Sequence, residues 1–177
     1  MVVYRDWKNR NLHCISVLNK KRLSKEQALQ KLRQYCGYQE RSHKEVKEKL
    51  YGFGLFKQDV EEAISILIEE NYLNEERYAT AFVGGYFRSK QWGRVKISYE
   101  LKQKGVSEYS IRNAMKEIDE EEYSKTIKQL VNKKRDQLKD EELKPFQLYS
   151  KILQYLLQRG FESQLIQREL RESRDGN

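Results

Sequence analysis

One spacing constrains this chain more than any other feature. It consists of two apolar residues four apart, a glycine four further on, an apolar residue directly after it, and another five later. Val46, Leu50, Gly54, Leu55 and Val60 set it; Ile97, Leu101, Gly105, Val106 and Ile111 repeat it; Ile152, Leu156, Gly160, Phe161 and Ile166 repeat it again. With glycine at about 7% of residues and apolar types at roughly a third, such a match should arise on the order of once per thousand windows. A chain of 177 residues contains it three times, with the glycines 51 and then 55 residues apart. A repeat of about 50 residues implies a tandem array in which each unit buries its apolar face partly against its neighbours.

Each position has a physical job. Apolar residues four apart put one stripe on a helix. The glycine suits the left-handed conformation that ends helices, where a Cβ is penalised, so Gly54, Gly105 and Gly160 read as structural turns. The apolar residue after each glycine can fold back on the last turn. The next apolar position opens a second stripe: Val60, Ala63, Ile64 and Leu67, then Ile111, Ala114, Met115 and Ile118, then Ile166 and Leu170.

A third helix precedes each pair. Ser24 with Gln27 reads as a capping box opening a helix through Ala28, Leu29, Leu32 and Tyr35. Asn74, followed by Glu75 and Glu76, opens one through Tyr78, Phe82, Val83 and Tyr86. Asp119 to Glu122 open a long one through Tyr123, Ile127, Leu130, Val131 and Leu138. Ser42 with Glu45 caps the middle helix of the first unit, and Ser107 the last helix of the second. The expected organisation is a basic arm, or the remnant of a longer region, over 1–24; three-helix repeats over 25–73, 74–118 and 119–171; and a tail over 172–177. The longer third unit carries its extra residues between Lys139 and Pro145. No segment after residue 20 alternates apolar and polar as a half-buried strand should.

Charged residues make up 35% of the chain, well above the usual quarter, and mean hydropathy is −0.94. A line of small units has more surface per residue than a sphere, so the expectation is an elongated molecule. Its radius of gyration should exceed the ~16 Å of a compact chain this long. No apolar run approaches a membrane span, and the amino terminus lacks the core of a secretory signal. Cys14 and Cys36 have no motif spacing and read as reduced thiols, so the expected location is the cytoplasm.

The net charge of +8 is uneven: +5 over 1–24, −1 over 25–73, +4 over 74–118 and zero over 119–177. In the middle unit it gathers around one turn, Arg88, Lys90, Trp92, Arg94 and Lys96. Such a cluster with an embedded indole suits phosphates or an acidic protein groove. It equally describes a solvated helix end with Trp92 plugging a gap between helices, and the residues alone leave both open. Lys133, Lys134 and Arg135 close a helix opened by four acids, which complements the helix dipole. His13 and His43 have no ligand-spaced companions, so no metal is expected. Gly84 and Gly85, inside a helical stretch, point to a close helix approach or a kink. The twelve tyrosines fall mostly on apolar stripes and read as core edges rather than a base-stacking platform. No phosphate loop, dinucleotide fingerprint or nucleophile elbow is present, so neither cofactor nor catalytic residues are expected.

The stretch NYLNEERYA (71–79) resembles the hallmark of the RecX family of bacterial recombination regulators, in which an aromatic and a leucine lead through an acidic turn into the next helix. RSHKEVKEKL (41–50), WGRVKISYELKQKGV (92–106) and LLQRGF (156–161) are similar to it in order and spacing. The resemblance covers roughly 25–171; the first helix of the third unit matches worst, and residues 1–20 lie outside the common core. It implies an all-α fold of three tandem three-helix repeats in an elongated, curved array. It also implies a non-enzymatic regulator that binds the groove of the RecA filament on DNA and restrains RecA's ATPase, strand exchange and coprotease activities, with roles in DNA repair and the SOS response. The expected partners are the RecA filament and, weakly, single- or double-stranded DNA; a monomer without cofactor or membrane contact is expected. The family has no catalytic motif to transfer, which leaves the basic turn as the candidate contact.

Two other classes remain. A DNA reader of the helix-turn-helix kind would place Glu108 and Glu162 near phosphates, which repel them; non-specific DNA affinity without a RecA role stands as the alternative. A helical-repeat adaptor with an unrelated partner is the other.

Overall fold

The computed structural model describes residues 22–175, so the expected basic arm lies outside it except for Arg22, Leu23 and Ser24. Among the described residues there are nine helices and no strand. They are α1 (Lys25–Tyr38), α2 (His43–Gly52), α3 (Lys57–Glu69), α4 (Glu75–Lys90), α5 (Arg94–Gln103), α6 (Glu108–Met115), α7 (Glu120–Gln137), α8 (Pro145–Gln158) and α9 (Ser163–Asp175). Their contacts divide the chain into two compact units, Met1–Asn74 and Glu75–Asn177.

The first unit holds α1, α2 and α3 around one core. Leu32 of α1, Val46 and Leu50 of α2, and Val60 and Leu67 of α3 are all fully buried in it. Ser24 and Ser42 each accept a bond from the backbone three residues on, and Gln27 and Glu45 reach back to the cap N–H, so both helices begin with complete capping boxes. Two ion pairs tie α1 to α3 and its cap: Lys25 to Glu62 at 2.7 Å, and Arg33 to Glu70, the residue that ends α3, through two bonds of 2.7 and 2.6 Å.

In the second unit α4 to α9 share a single core running from Tyr78 to Leu170. The two triplets therefore bury their stripes jointly rather than as two separate cores. Phe87 of α4, Tyr123 of α7 and Phe161 after α8 form an aromatic chain through it, with ring centroids 5.7 and 5.3 Å apart.

The repeated spacing has one geometric cause. Gly54, Gly105 and Gly160 adopt φ of 85°, 75° and 84°. After each, the apolar residue donates its N–H to the leucine five back: Leu55 to Leu50, Val106 to Leu101 and Phe161 to Leu156. The glycine N–H donates to the carbonyl three back, completing the helix-ending motif in which those two apolar side chains meet.

Three expectations are revised. A Cβ at Gly85 would meet nothing and one at Gly84 only the flexible end of Arg88, so no helix packs closely there. The tail expected from 172 is helical to Asp175, because α9 continues through residues of good helix propensity and an Arg168–Glu172 pair one turn apart. Several tyrosines are not core edges: Tyr38, Tyr51, Tyr72, Tyr99 and Tyr109 are exposed. Among the described residues no helix is long and apolar enough to cross a membrane.

Candidate interaction site around the basic turn

The turn begins where α4 ends at Lys90. Gln91 takes a left-handed conformation, φ 52°, with no glycine to ease it. Its N–H donates to Phe87 and that of Trp92 to Tyr86, at 3.0 and 3.4 Å. The indole stacks on Tyr86 at 4.6 Å and Tyr86 on Phe82 at 4.1 Å, so Trp92 ends an aromatic column running down α4. The Lys96 ammonium lies 4.5 Å over the indole.

Helix α5 then starts with no side-chain cap. Its first N–H groups, which lack intrahelical partners, are satisfied by the third triplet. Gly93 N–H donates to the Arg159 carbonyl at 2.8 Å, and Val95 N–H to the Gly160 carbonyl at 3.0 Å. Arg94 N–H donates to the Tyr123 hydroxyl at 3.0 Å. The carbonyl end of α8 thus meets the amide end of α5, the favourable sense for two helix dipoles. Only glycines allow this approach, since a Cβ on Gly93 would overlap the Gly160 carbonyl and one on Gly160 the backbone of Lys96.

Side chains lock the joint. The Tyr123 hydroxyl donates to Glu162 Oε2 at 2.7 Å while accepting from Arg94. Burial, and next the bond to Glu162, push that hydroxyl's pKa far above the ordinary tyrosine value of 10.0, so it stays protonated. The Arg94 guanidinium makes two bonds to Glu120, at 2.6 and 3.3 Å, and lies 4.2 Å over the Tyr123 ring. Arg159 Nη1 donates to the Lys90 carbonyl at 2.9 Å.

Of the five residues singled out in the sequence, Trp92, Arg94 and Lys96 are therefore placed in the joint between second and third triplets. Arg94 is only 21% exposed, whereas Arg88 and Lys90 are exposed and, among the described residues, have no ion-pair partner. The sequence reading missed Tyr123, Glu120, Arg159 and the structural use of Glu162. Glu162 stands two residues after its turn glycine, the place Ser107 fills in the second triplet. There Ser107 and Ser110 both donate to Glu75 Oε1, at 2.6 and 2.8 Å. Glu108 is engaged as well, with Lys102 at 2.7 Å, and that bond holds its carboxyl below the usual range.

Comparison with known proteins agrees with this architecture. Residues 74–115 match the family description "RecX, second three-helix domain" and residues 120–170 match "RecX, third three-helix domain", together more than half of the chain. The chain is 35% identical over 122 residues to the "Regulatory protein RecX" of Clostridium perfringens strain 13, covering 69% of this chain and 57% of that one. It is 33% identical over 146 residues to the protein of that name from Lactobacillus johnsonii, covering 82% and 53%. The matched part thus spans little more than half the length of these curated relatives. The crystal structure of RecX from Lactobacillus salivarius superposes with a TM-score of 0.75 at 23% identity, over 84% of this chain and 95% of that one, a likeness of fold. By its helix order, its glycine turns and these matches, the chain belongs to the RecX family of regulatory proteins.

Proposed function

We propose that this chain binds in the groove of the RecA filament on DNA and restrains RecA's ATPase, strand exchange and coprotease activities, without catalysing a reaction itself. The observation that carries the reading is the 35% identity over 122 residues to a protein named "Regulatory protein RecX". The excess positive charge of the chain, +8, supports a partner bearing phosphates and acidic protein surface. Within this reading the repeats are bounded at 25–73, 74–118 and 119–171, and the chain acts as a cytoplasmic monomer with weak DNA affinity of its own. The main electrostatic contact falls on the basic turn. Arg88 and Lys90 meet the partner, while Trp92, Arg94 and Lys96 hold the turn in place.

The test is binding to preformed RecA filaments compared with bare single-stranded DNA of the same length. Preference for the filament supports the reading; equal affinity for both makes the chain a non-specific DNA-binding protein. Arg88→Ala with Lys90→Ala should leave the fold intact and weaken filament binding. If both cations meet phosphates, the log–log salt slope should fall by roughly 2. An unchanged slope and affinity would place the electrostatic contact elsewhere.

A further inference from the structure

A cleft of about 320 Å³ lies between α7 and α8. Lys134 and Leu138 line it from α7, and Lys151, Gln154, Tyr155 and Gln158 from α8. Glu141, in the connection between the two helices, is the one acid in the lining, and it is paired with Lys151. Those two charges cancel, which leaves the cleft the charge of Lys134. The Lys134 ammonium and the Arg159 guanidinium lie 5.3 and 4.9 Å from the centre of the Tyr155 ring. Among the described residues neither cation has an ion-pair partner. A ring face positions a cation through its quadrupole but leaves the net charge uncancelled. Arg159 also spends one of its five donors on the Lys90 carbonyl, which is a dipole and not a counter-charge.

The repeat supplies a control. At the positions of Gln154 and Tyr155 the first triplet has Glu48 and Lys49, and the second has Tyr99 and Glu100. The fold therefore needs neither the amide nor the ring there. Among the middle helices of the triplets, α2 and α5 carry acids and α8 carries none. A cleft with one sign of net charge concentrates anions, and lysine, arginine and glutamine are among the side chains that bond phosphate oxygens. A protein segment would need apolar anchoring, which this lining does not offer. Leu138 is buried, and the Tyr155 ring lies under two cations. The same cations leave the ring unsuited to stacking a base, so the strand's backbone is the part that fits. The Arg159 bond to Lys90 joins the cleft to the basic turn.

We infer that the cleft between α7 and α8 binds a backbone phosphate of a DNA strand, with Lys134 as counter-charge and Gln154 and Gln158 as amide donors. Arg159 connects it to the contact assigned to Arg88 and Lys90. The inference rests on the DNA affinity in the reading above, and it does not require the protein surface of RecA.

The test uses the full chain, bare poly(dT) and a RecA filament assembled on poly(dT). Lys134→Gln should leave helical content and melting temperature near those of the parent, since its charge contributes little to stability. Losing one phosphate contact to a single strand lowers the log–log salt slope by about 0.7, which is about fivefold in poly(dT) affinity at about 0.1 M salt. Gln154→Glu, which places an acid in the cleft, should also weaken poly(dT) binding, and Lys134→Arg should bind like the parent. Lys133→Gln removes a neighbouring charge that does not line the cleft and should leave the slope near the parent's. If Lys134→Gln and Gln154→Glu both bind poly(dT) as the parent does, the cleft is not a phosphate site. Equal losses in Lys133→Gln and Lys134→Gln would reduce it to diffuse charge at a helix end. A loss confined to the filament would make its occupant acidic protein. Each of these results overturns the inference. If the parent shows no preference for filaments while Lys134→Gln still loses poly(dT) affinity, the filament reading falls and the cleft stands.

Discussion

Three positions separate backbone strain from steric overlap. Gly105 has φ 75° with open space where a Cβ would stand, so Gly105→Ala tests conformation alone and should cost about 1 kcal/mol. Gly105→Val adds a stiff, branched side chain to the same strain and should cost more. Gly160 combines φ 84° with backbone of Lys96 against its open face, so Gly160→Ala should cost more than Gly105→Ala. Gln91 is the converse case: it is left-handed with a side chain, and Gln91→Gly should stabilise the protein by up to about 1 kcal/mol. Chemical denaturation of the variants under one condition checks the order; a Gly105→Ala variant as stable as the parent would remove the helix-ending account of the repeat. Tyr123 adds a pH dependence. Its hydroxyl keeps its proton in the folded chain and loses it near pH 10 when unfolded, so the unfolded state binds fewer protons above that pH and stability falls as pH rises. Tyr123→Phe should lower stability at neutral pH by about 1–3 kcal/mol, through the unpaired Arg94 N–H and Glu162 carboxylate. It should also make the decline above pH 10 shallower than in the parent, which paired melts from pH 8 to 11 would show.

Among the elements, the helix boundaries set by local chemistry were legible in the sequence, and the joint was not. Ser24, Ser42, Ser107 and Asp119 each accept a bond from the backbone three residues on, a relation contained within four residues. The leucine five before each turn's apolar residue is similarly local. By contrast α5 begins on Arg159, Gly160 and Tyr123, which lie 29 or more residues away. A tyrosine on an apolar stripe reads as core whether or not its hydroxyl bridges two helices. Gln91 hides its left-handed turn because nothing in its type announces one. Charge clustering was visible, but not that Arg94 is spent on Glu120 and the Tyr123 ring while Arg88 and Lys90 remain open. Hydrogen exchange reads the joint directly. The amides of Arg94 and Val95 should be protected in the parent, although they open a helix, and Tyr123→Phe should release Arg94 first. Rapid exchange at both in the parent would show that α5 begins in solvent. Arg94→Ala should destabilise by about 1 kcal/mol, where Arg88→Ala with Lys90→Ala should not.

At the scale of the whole molecule, the chain combines a fold that leaves Arg88 and Lys90 open with a charge of +8 and membership of a regulatory family. That combination suits a partner larger than the protein, presenting phosphates and acidic protein surface together. A filament regulator and a DNA-coating protein differ in stoichiometry, because one chain in a filament groove touches several protomers, whereas coating requires enough protein to cover the DNA. The most direct measurement is therefore DNA-dependent ATP hydrolysis by RecA as this protein is titrated in, with the DNA length held constant. The account predicts inhibition when the protein is far scarcer than RecA, lessened by Arg88→Ala with Lys90→Ala. Inhibition that sets in only once the protein is abundant enough to occupy the DNA would contradict it.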